Sequence, residues 1–130
     1  MIVIDASALV KALVEQSRTG ERVRARLRGE LLLAPAHIDA ELLSVLRGLS
    51  RASKLSVAGA RQALDLVTRM PLQRAPLPGY LPRAWELRGN YSAYDALYVA
   101  VAESVDSPLL TADARLAGGV GARCAIEVIS

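Results

Sequence analysis

The chain has a single cysteine, Cys124, and a single histidine, His37. One cysteine excludes an internal disulfide and is compatible with a reducing cytoplasm, the expected location. Neither residue has the companions that a zinc site needs. His37 reads as a helix-start residue and Cys124 as a small, partly buried one. Lysine is nearly absent as well: of 16 basic residues only Lys11 and Lys54 are lysine. The remainder are arginine, which suits bidentate phosphate contacts, although an Arg- and Ala-rich codon bias yields the same composition. No apolar stretch approaches the roughly 18 residues of a membrane span. No basic segment precedes the first apolar run, which ends at Asp5, so a secretory leader is not expected. Linkers, internal repeats and low-complexity segments are also missing. The net charge of +3 is too small to identify a polyanionic partner by itself.

What is present is 130 residues, 52% of them hydrophobic. That suits one domain, residues 1–130, with a core that needs no cross-links. Short apolar runs alternate with helical patterns, the mark of βαβ units and a mostly parallel sheet. Ile2-Val3-Ile4-Asp5 reads as a strand buried on both faces, followed by a helix with Ser7 as N-cap and Leu9, Val10, Leu13 and Val14 on one side. A basic helix spans about Gly20 to Arg28 and stops at Gly29. Leu31 to Ala34 reads as a strand closed by Pro35. A long helix, about His37 to Ala52, carries Ile38, Leu42, Val45, Leu46 and Leu49 at helical spacing. Ser56 caps the next helix, whose stripe is Ala60, Leu64 and Val67. A strand near Leu72 to Ala75, a short helix opening at Pro82, and a nearly all-apolar helix from Ala93 to Ser104 with Ser92 before it come next. Leu109 to Thr111 is a strand, Asp113 to Ala117 a short helix, and Ile126 to Ile129 the last strand. Right-handed crossovers then cover both faces of the sheet with helices.

Most acidic residues fall among polar neighbours, but Asp5, Glu41, Asp95 and Asp113 do not. Asp5 and Asp113 end strands, where open α/β sheets bind ligands; each could equally cap the helix that follows. Glu41 borders the apolar stripe of its helix and is costly to bury unless paired or metal-bound; a solvated pairing with Arg47 or Arg51 is the blander alternative. Asp95 lies in the first turn of a helix with almost no polar face before Glu103, and a capping box with Ser92 would also account for it. Together the acids can converge on one crevice if the strands bearing Asp5 and Asp113 are neighbours. Anions so placed require cations, and all-oxygen ligands point to a hard ion such as Mg²⁺ or Mn²⁺. Ser7 and Thr111, also at strand ends, can hydrogen-bond a carboxylate or a water.

The ordered pattern Ile4-Asp5-Ala6-Ser7, Glu41, Tyr94-Asp95-Ala96-Leu97-Tyr98 and Leu110-Thr111-Ala112-Asp113 resembles the PIN domain, and most of all the VapC-type toxins, over nearly the whole chain. The resemblance implies a three-layer α/β/α sandwich around a five-stranded parallel sheet. It implies Mg²⁺- or Mn²⁺-dependent cleavage of RNA, a homodimer, and inhibition by a small cognate antitoxin protein. By position it makes Asp5, Glu41, Asp95 and Asp113 the catalytic, metal-binding acids, with Ser7 and Thr111 in support. Asp5 and Asp95 are then the principal ligands, Glu41 and Asp113 complete the site partly through water, and Glu41 can orient the attacking water. A pair of ions in such a site stands roughly 3.5–4 Å apart. Arg88 and Arg115 are candidate substrate-binding residues, since an acidic centre needs positive charge around it to hold RNA.

Other readings are weaker. An aspartyl-phosphate enzyme wants a second Asp two residues after the first, and that position is Ser7. A catalytically inactive PIN-like module that binds RNA or protein has no need for mutually repelling carboxylates. The lone His37 argues against cleavage by paired histidines.

Overall fold

Every junction that leads from a strand into a helix lies at the same edge of the sheet, because all the strands are parallel. The computed structural model describes residues 1–130. Its strands are β1 (Ile2–Ile4), β2 (Leu32–Pro35), β3 (Leu72–Ala75), β4 (Leu109–Thr111) and β5 (Ile126–Val128). They pair in the order β3-β2-β1-β4-β5, all parallel. β1 takes the centre because Ile2, Val3 and Ile4 are apolar on both faces, and all three are fully buried.

The helices are α1 (Ala6–Val14), α2 (Arg18–Leu27), α3 (Ile38–Arg51), α4 (Val57–Arg69), α5 (Leu81–Glu86), α6 (Ala93–Ser104) and α7 (Ala114–Ala117). α1 packs against α2, α3 and α4, while α5 packs against α6, which crosses β1, β2 and β4. Right-handed crossovers explain the division. The chain moves one way across the sheet from β1 to β3 and the other way from β3 to β5, so the two helix groups cover opposite faces. The result is a three-layer α/β/α sandwich.

Sequence order reverses between β1 and β4, which makes their carboxyl ends the topological switch point. Val3 lies opposite Leu109 and Ile4 opposite Leu110. One step further, Asp5 meets Thr111. The core is one cluster of 28 buried residues, and α6 supplies an unbroken buried run from Ala96 to Ala102, as expected of a helix with almost no polar face.

Several expectations shift. Asp5, not Ser7, is the N-cap of α1: its carboxylate accepts from the Ala8 amide at 2.9 Å. Ser7 is already helical, and its hydroxyl is used elsewhere. α2 begins at Arg18 because Ser17 caps it, and β2 runs one residue later than expected, with Leu31 exposed and Pro35 inside the ladder. Along α3 only Ile38, Leu42 and Leu46 of the expected stripe are fully buried. Val45 and Leu49 instead line a cleft. A 3₁₀ turn, Pro78–Tyr80, precedes α5. The caps at Ser56 and Ser92, and the extents of β3, α6 and β4, are as expected.

α5 is clamped to α6 by an ion pair. Arg83 donates to Glu103 from Nε at 2.7 Å and from a terminal nitrogen at 3.1 Å, and the Arg123 amide donates to the same carboxylate at 2.7 Å. Burial pushes the Glu103 carboxyl up, but these donors outweigh it and leave it below the ordinary 4.5. A depressed folded value stabilises the fold above the unfolded value and is lost as pH falls through the folded one. Glu103→Gln is therefore expected to cost about 1–2 kcal/mol at neutral pH. In denaturant titrations that cost should shrink as pH falls below the ordinary 4.5. A cost that does not change with pH would contradict the assignment.

Candidate active site

A cleft of about 600 Å³ opens at the switch point, and Asp5, Glu41, Asp95 and Asp113 all line it. The parallel sheet explains the convergence. Asp5 and Asp113 are the N-caps of α1 and α7, and Glu41 and Asp95 sit in the first turns of α3 and α6. All these helix starts share one edge, and their dipoles favour negative charge there.

Asp5 is the most enclosed of the acids, with 5% of its surface exposed. Its Oδ1 accepts from the Ser7 hydroxyl at 2.7 Å and the Ala8 amide at 2.9 Å, while the buried Thr111 hydroxyl donates to Oδ2. Both hydroxyls are fixed in turn: Ser7 Oγ accepts from the Ala112 amide and Thr111 Oγ1 from the Asp113 amide, each at 3.0 Å. Ser7 and Thr111, expected as supporting residues, thus hold one carboxylate between β1 and β4. Burial raises the Asp5 carboxyl, opposed by Thr111, Ala8 and Ser7, and the charge of Asp95 raises it further.

Asp95 is half-buried. Burial raises its carboxyl, Ser92 opposes this, and the charges of Glu41 and Asp113 raise it again. Glu41 is tied to neither Arg47 nor Arg51. Its Oε1 accepts from the Tyr98 hydroxyl at 2.8 Å, and His37 Nε2 lies 3.1 Å away without the alignment of a regular hydrogen bond. Burial pushes Glu41 up, but His37 and Tyr98 prevail and leave it below the ordinary range. Asp113 is held low mainly by Arg115, which donates to both of its oxygens at 3.2 and 3.0 Å. Asp5 and Asp95 form no ion pair, although the nearby charge of Arg115 pulls the Asp95 carboxyl down a little.

Arg115 lines the cleft and Arg88 does not. Arg88 lies 4.4 Å over the ring of Trp85 and donates to the Trp85 carbonyl, beside a separate hollow with Leu81 and Leu97. The exposed indole face captures its guanidinium outside the cleft. Sequence reasoning missed Tyr98 as a site residue. The signal was its spacing, one helical turn after Asp95 on the same face.

The donors fit a hard divalent ion in chemistry, being all carboxylate and hydroxyl oxygen. No three histidine, cysteine, aspartate or glutamate side chains stand close enough to hold an ion between them. Arg115 engages both oxygens of Asp113, and the Tyr98–His37 pair engages one oxygen of Glu41. The arrangement therefore suits an ion that keeps several of its own waters and takes only one or two carboxylates directly, as Mg²⁺ does.

Mutual repulsion in the cleft has a measurable consequence. In EDTA, Asp95→Asn is expected to raise the thermal midpoint, by about 2–5 °C for each kcal/mol of repulsion relieved. A lowered midpoint would show that the Asp95 charge is compensated within the fold.

Residues 2–118 match the family model for the PIN domain. Ribonuclease VapC9 of Mycobacterium tuberculosis is 41% identical over 129 residues, covering 99% of this chain and 98% of that protein. The crystal structure of PAE2754 from Pyrobaculum aerophilum superposes with a TM-score of 0.70 at 26% identity, covering 98% of this chain and 83% of that one. VapBC2 from Rickettsia felis, solved bound to a DNA fragment from its promoter, shares the fold with a TM-score of 0.71 at 14% identity over 100% of both chains. With the family's pattern spanning most of its length, and a full-length relative at this identity, the chain belongs to the PIN-domain family.

Proposed function

We propose that this protein is a Mg²⁺-dependent endoribonuclease of the VapC type, with Mn²⁺ as the alternative ion, and the toxin of a toxin–antitoxin pair acting in the cytoplasm. The observation that carries the reading is the convergence of Asp5, Glu41, Asp95 and Asp113 on the switch-point cleft, with neither Asp5 nor Asp95 in an ion pair. The relative's name, a ribonuclease, supports the same activity.

When bound, the ion supplies positive charge against the phosphodiester and acidifies the attacking water. The chain's own residues do the rest. Asp5 and Asp95 would be the principal direct ligands, while Ser7, Thr111 and the Ala8 amide fix the Asp5 carboxylate in one orientation. Glu41 and Asp113 would complete the set, partly through water, and Glu41 would orient the attacking water. Arg115 and Lys54 at the cleft wall hold neighbouring phosphates. Arg88, turned onto Trp85, is left out of this role.

The cleft continues from the acids into an apolar trough along Val10, Val45, Leu49 and Leu55, where a cognate antitoxin can lay an apolar segment and exclude both ion and RNA. Leu81, Trp85 and Tyr94 are large and exposed, and they offer a surface for a second copy in a homodimer.

The spread of the carboxylates favours a second reading, a catalytically inactive PIN-like module that binds RNA or protein. One assay separates the two: purified, antitoxin-free protein is incubated with a structured RNA pool and Mg²⁺ or Mn²⁺, beside an EDTA control. Cleavage is expected only with the ion. Asp5→Asn and Asp95→Asn should each lose more than the roughly 10–100-fold that removal of an outer partner costs. Absence of cleavage by the folded wild type with either ion would favour the inactive module or a nuclease with a very narrow substrate.

A further inference from the structure

Glu41 is the one cleft acid whose position depends on a different helix. It stands on α3, and the groups beside its Oε1 are Tyr98 of α6 and His37, four residues before it. Tyr98 is 1% exposed and is the largest fully buried side chain in the protein. Its ring has no freedom to swing away, so its hydroxyl is a fixed donor at 2.8 Å. His37 packs against that ring with centroids 4.8 Å apart, and against Tyr94 at 5.9 Å. Both His37 nitrogens are buried without a regular hydrogen bond, a costly arrangement in a core. No hydrogen bond reaches Glu41 Oε2.

We propose that Tyr98 is a positioning residue: its hydroxyl, backed by the His37 ring, pins Oε1 of Glu41 so that Oε2 is presented to the cleft as a fixed acceptor for an ion or for its water. This inference rests on the metal-site reading above. A flexible glutamate loses rotamer freedom when it binds an ion. Tyr98 removes that freedom in advance, and it also fixes the spacing between the Glu41 and Asp95 helices. Partners of this kind orient ligands, and their loss typically weakens metal binding about 10–100-fold.

The test is Mn²⁺ affinity of RNA-free protein, read by calorimetry or by the spin signal of free Mn²⁺, for wild type, Tyr98→Phe, Glu41→Gln and the double variant. Tyr98→Phe keeps the ring and its packing. It should weaken Mn²⁺ binding about 10-fold or more, and should weaken it no further in the Glu41→Gln background, a coupling that a merely structural role would not produce. Should Tyr98→Phe melt early, His37→Gln leaves the tyrosine in place and is expected to weaken binding in the same direction. Wild-type affinity in a folded Tyr98→Phe, or equal losses in both backgrounds, would overturn the positioning role while leaving the metal site intact. No Mn²⁺ binding by the wild type would overturn the site itself.

Discussion

The site depends on one buried carboxylate held across the two central strands. Asp5 ends β1, and the hydroxyl that meets its Oδ2 belongs to Thr111, the last residue of β4 and 106 positions further along the chain. Neither residue can reach the other unless β1 and β4 pair in parallel in the observed register. Slipping one strand by a residue would turn every side chain to the opposite face, taking Thr111 away and leaving Oδ2 of Asp5 without its donor. The same interaction therefore checks the sheet register and shapes the cleft floor.

From that floor the rest follows with little further design. A parallel sheet sends each strand into its helix at one edge, so acids at helix starts gather there although they are far apart in sequence. Helix dipoles favour each acid singly, while their neighbours disfavour them collectively: Asp5 and Asp95 are both raised above the ordinary carboxyl value, by burial first, and then Asp5 by the charge of Asp95 and Asp95 by those of Glu41 and Asp113. The fold partly offsets the repulsion with local partners, Arg115 for Asp113 and the Tyr98–His37 pair for Glu41. The two acids whose carboxyls nevertheless stay raised, Asp5 and Asp95, are the ones proposed as direct ligands.

The legible parts were those governed by local rules. Ser92 followed by a nearly all-apolar stretch specified α6 and its cap, Ser56 specified the start of α4, and the Leu-rich run before Thr111 specified β4. The pattern of acids allowed all the site's carboxylates to converge if the strands bearing Asp5 and Asp113 were neighbours, and the pairing of β1 with β4 meets that condition. Ambiguity arose where two residues of the same capping chemistry compete. In Asp5-Ala6-Ser7 either side chain can cap, and only the contact with Thr111 decides that Ser7 turns inward to serve Asp5. Contacts between helices were invisible for the same reason. Nothing in the spacing of Glu41 names Tyr98 as its partner, and nothing near Arg88 says that Trp85 will draw it away from the cleft. The side of α3 bearing Val45 and Leu49 looked like core, because periodicity marks an apolar face without telling whether a helix or a trough lies against it.

The central claim, that these carboxylates form one cation site, is most directly tested by anomalous diffraction from crystals of the protein grown with Mn²⁺. The account requires a peak in the cleft, within direct ligand distance of Asp5 and Asp95 and flanked by Glu41 and Asp113. Crystals that leave this cleft without a peak at millimolar Mn²⁺, or that place the ion elsewhere, would contradict it.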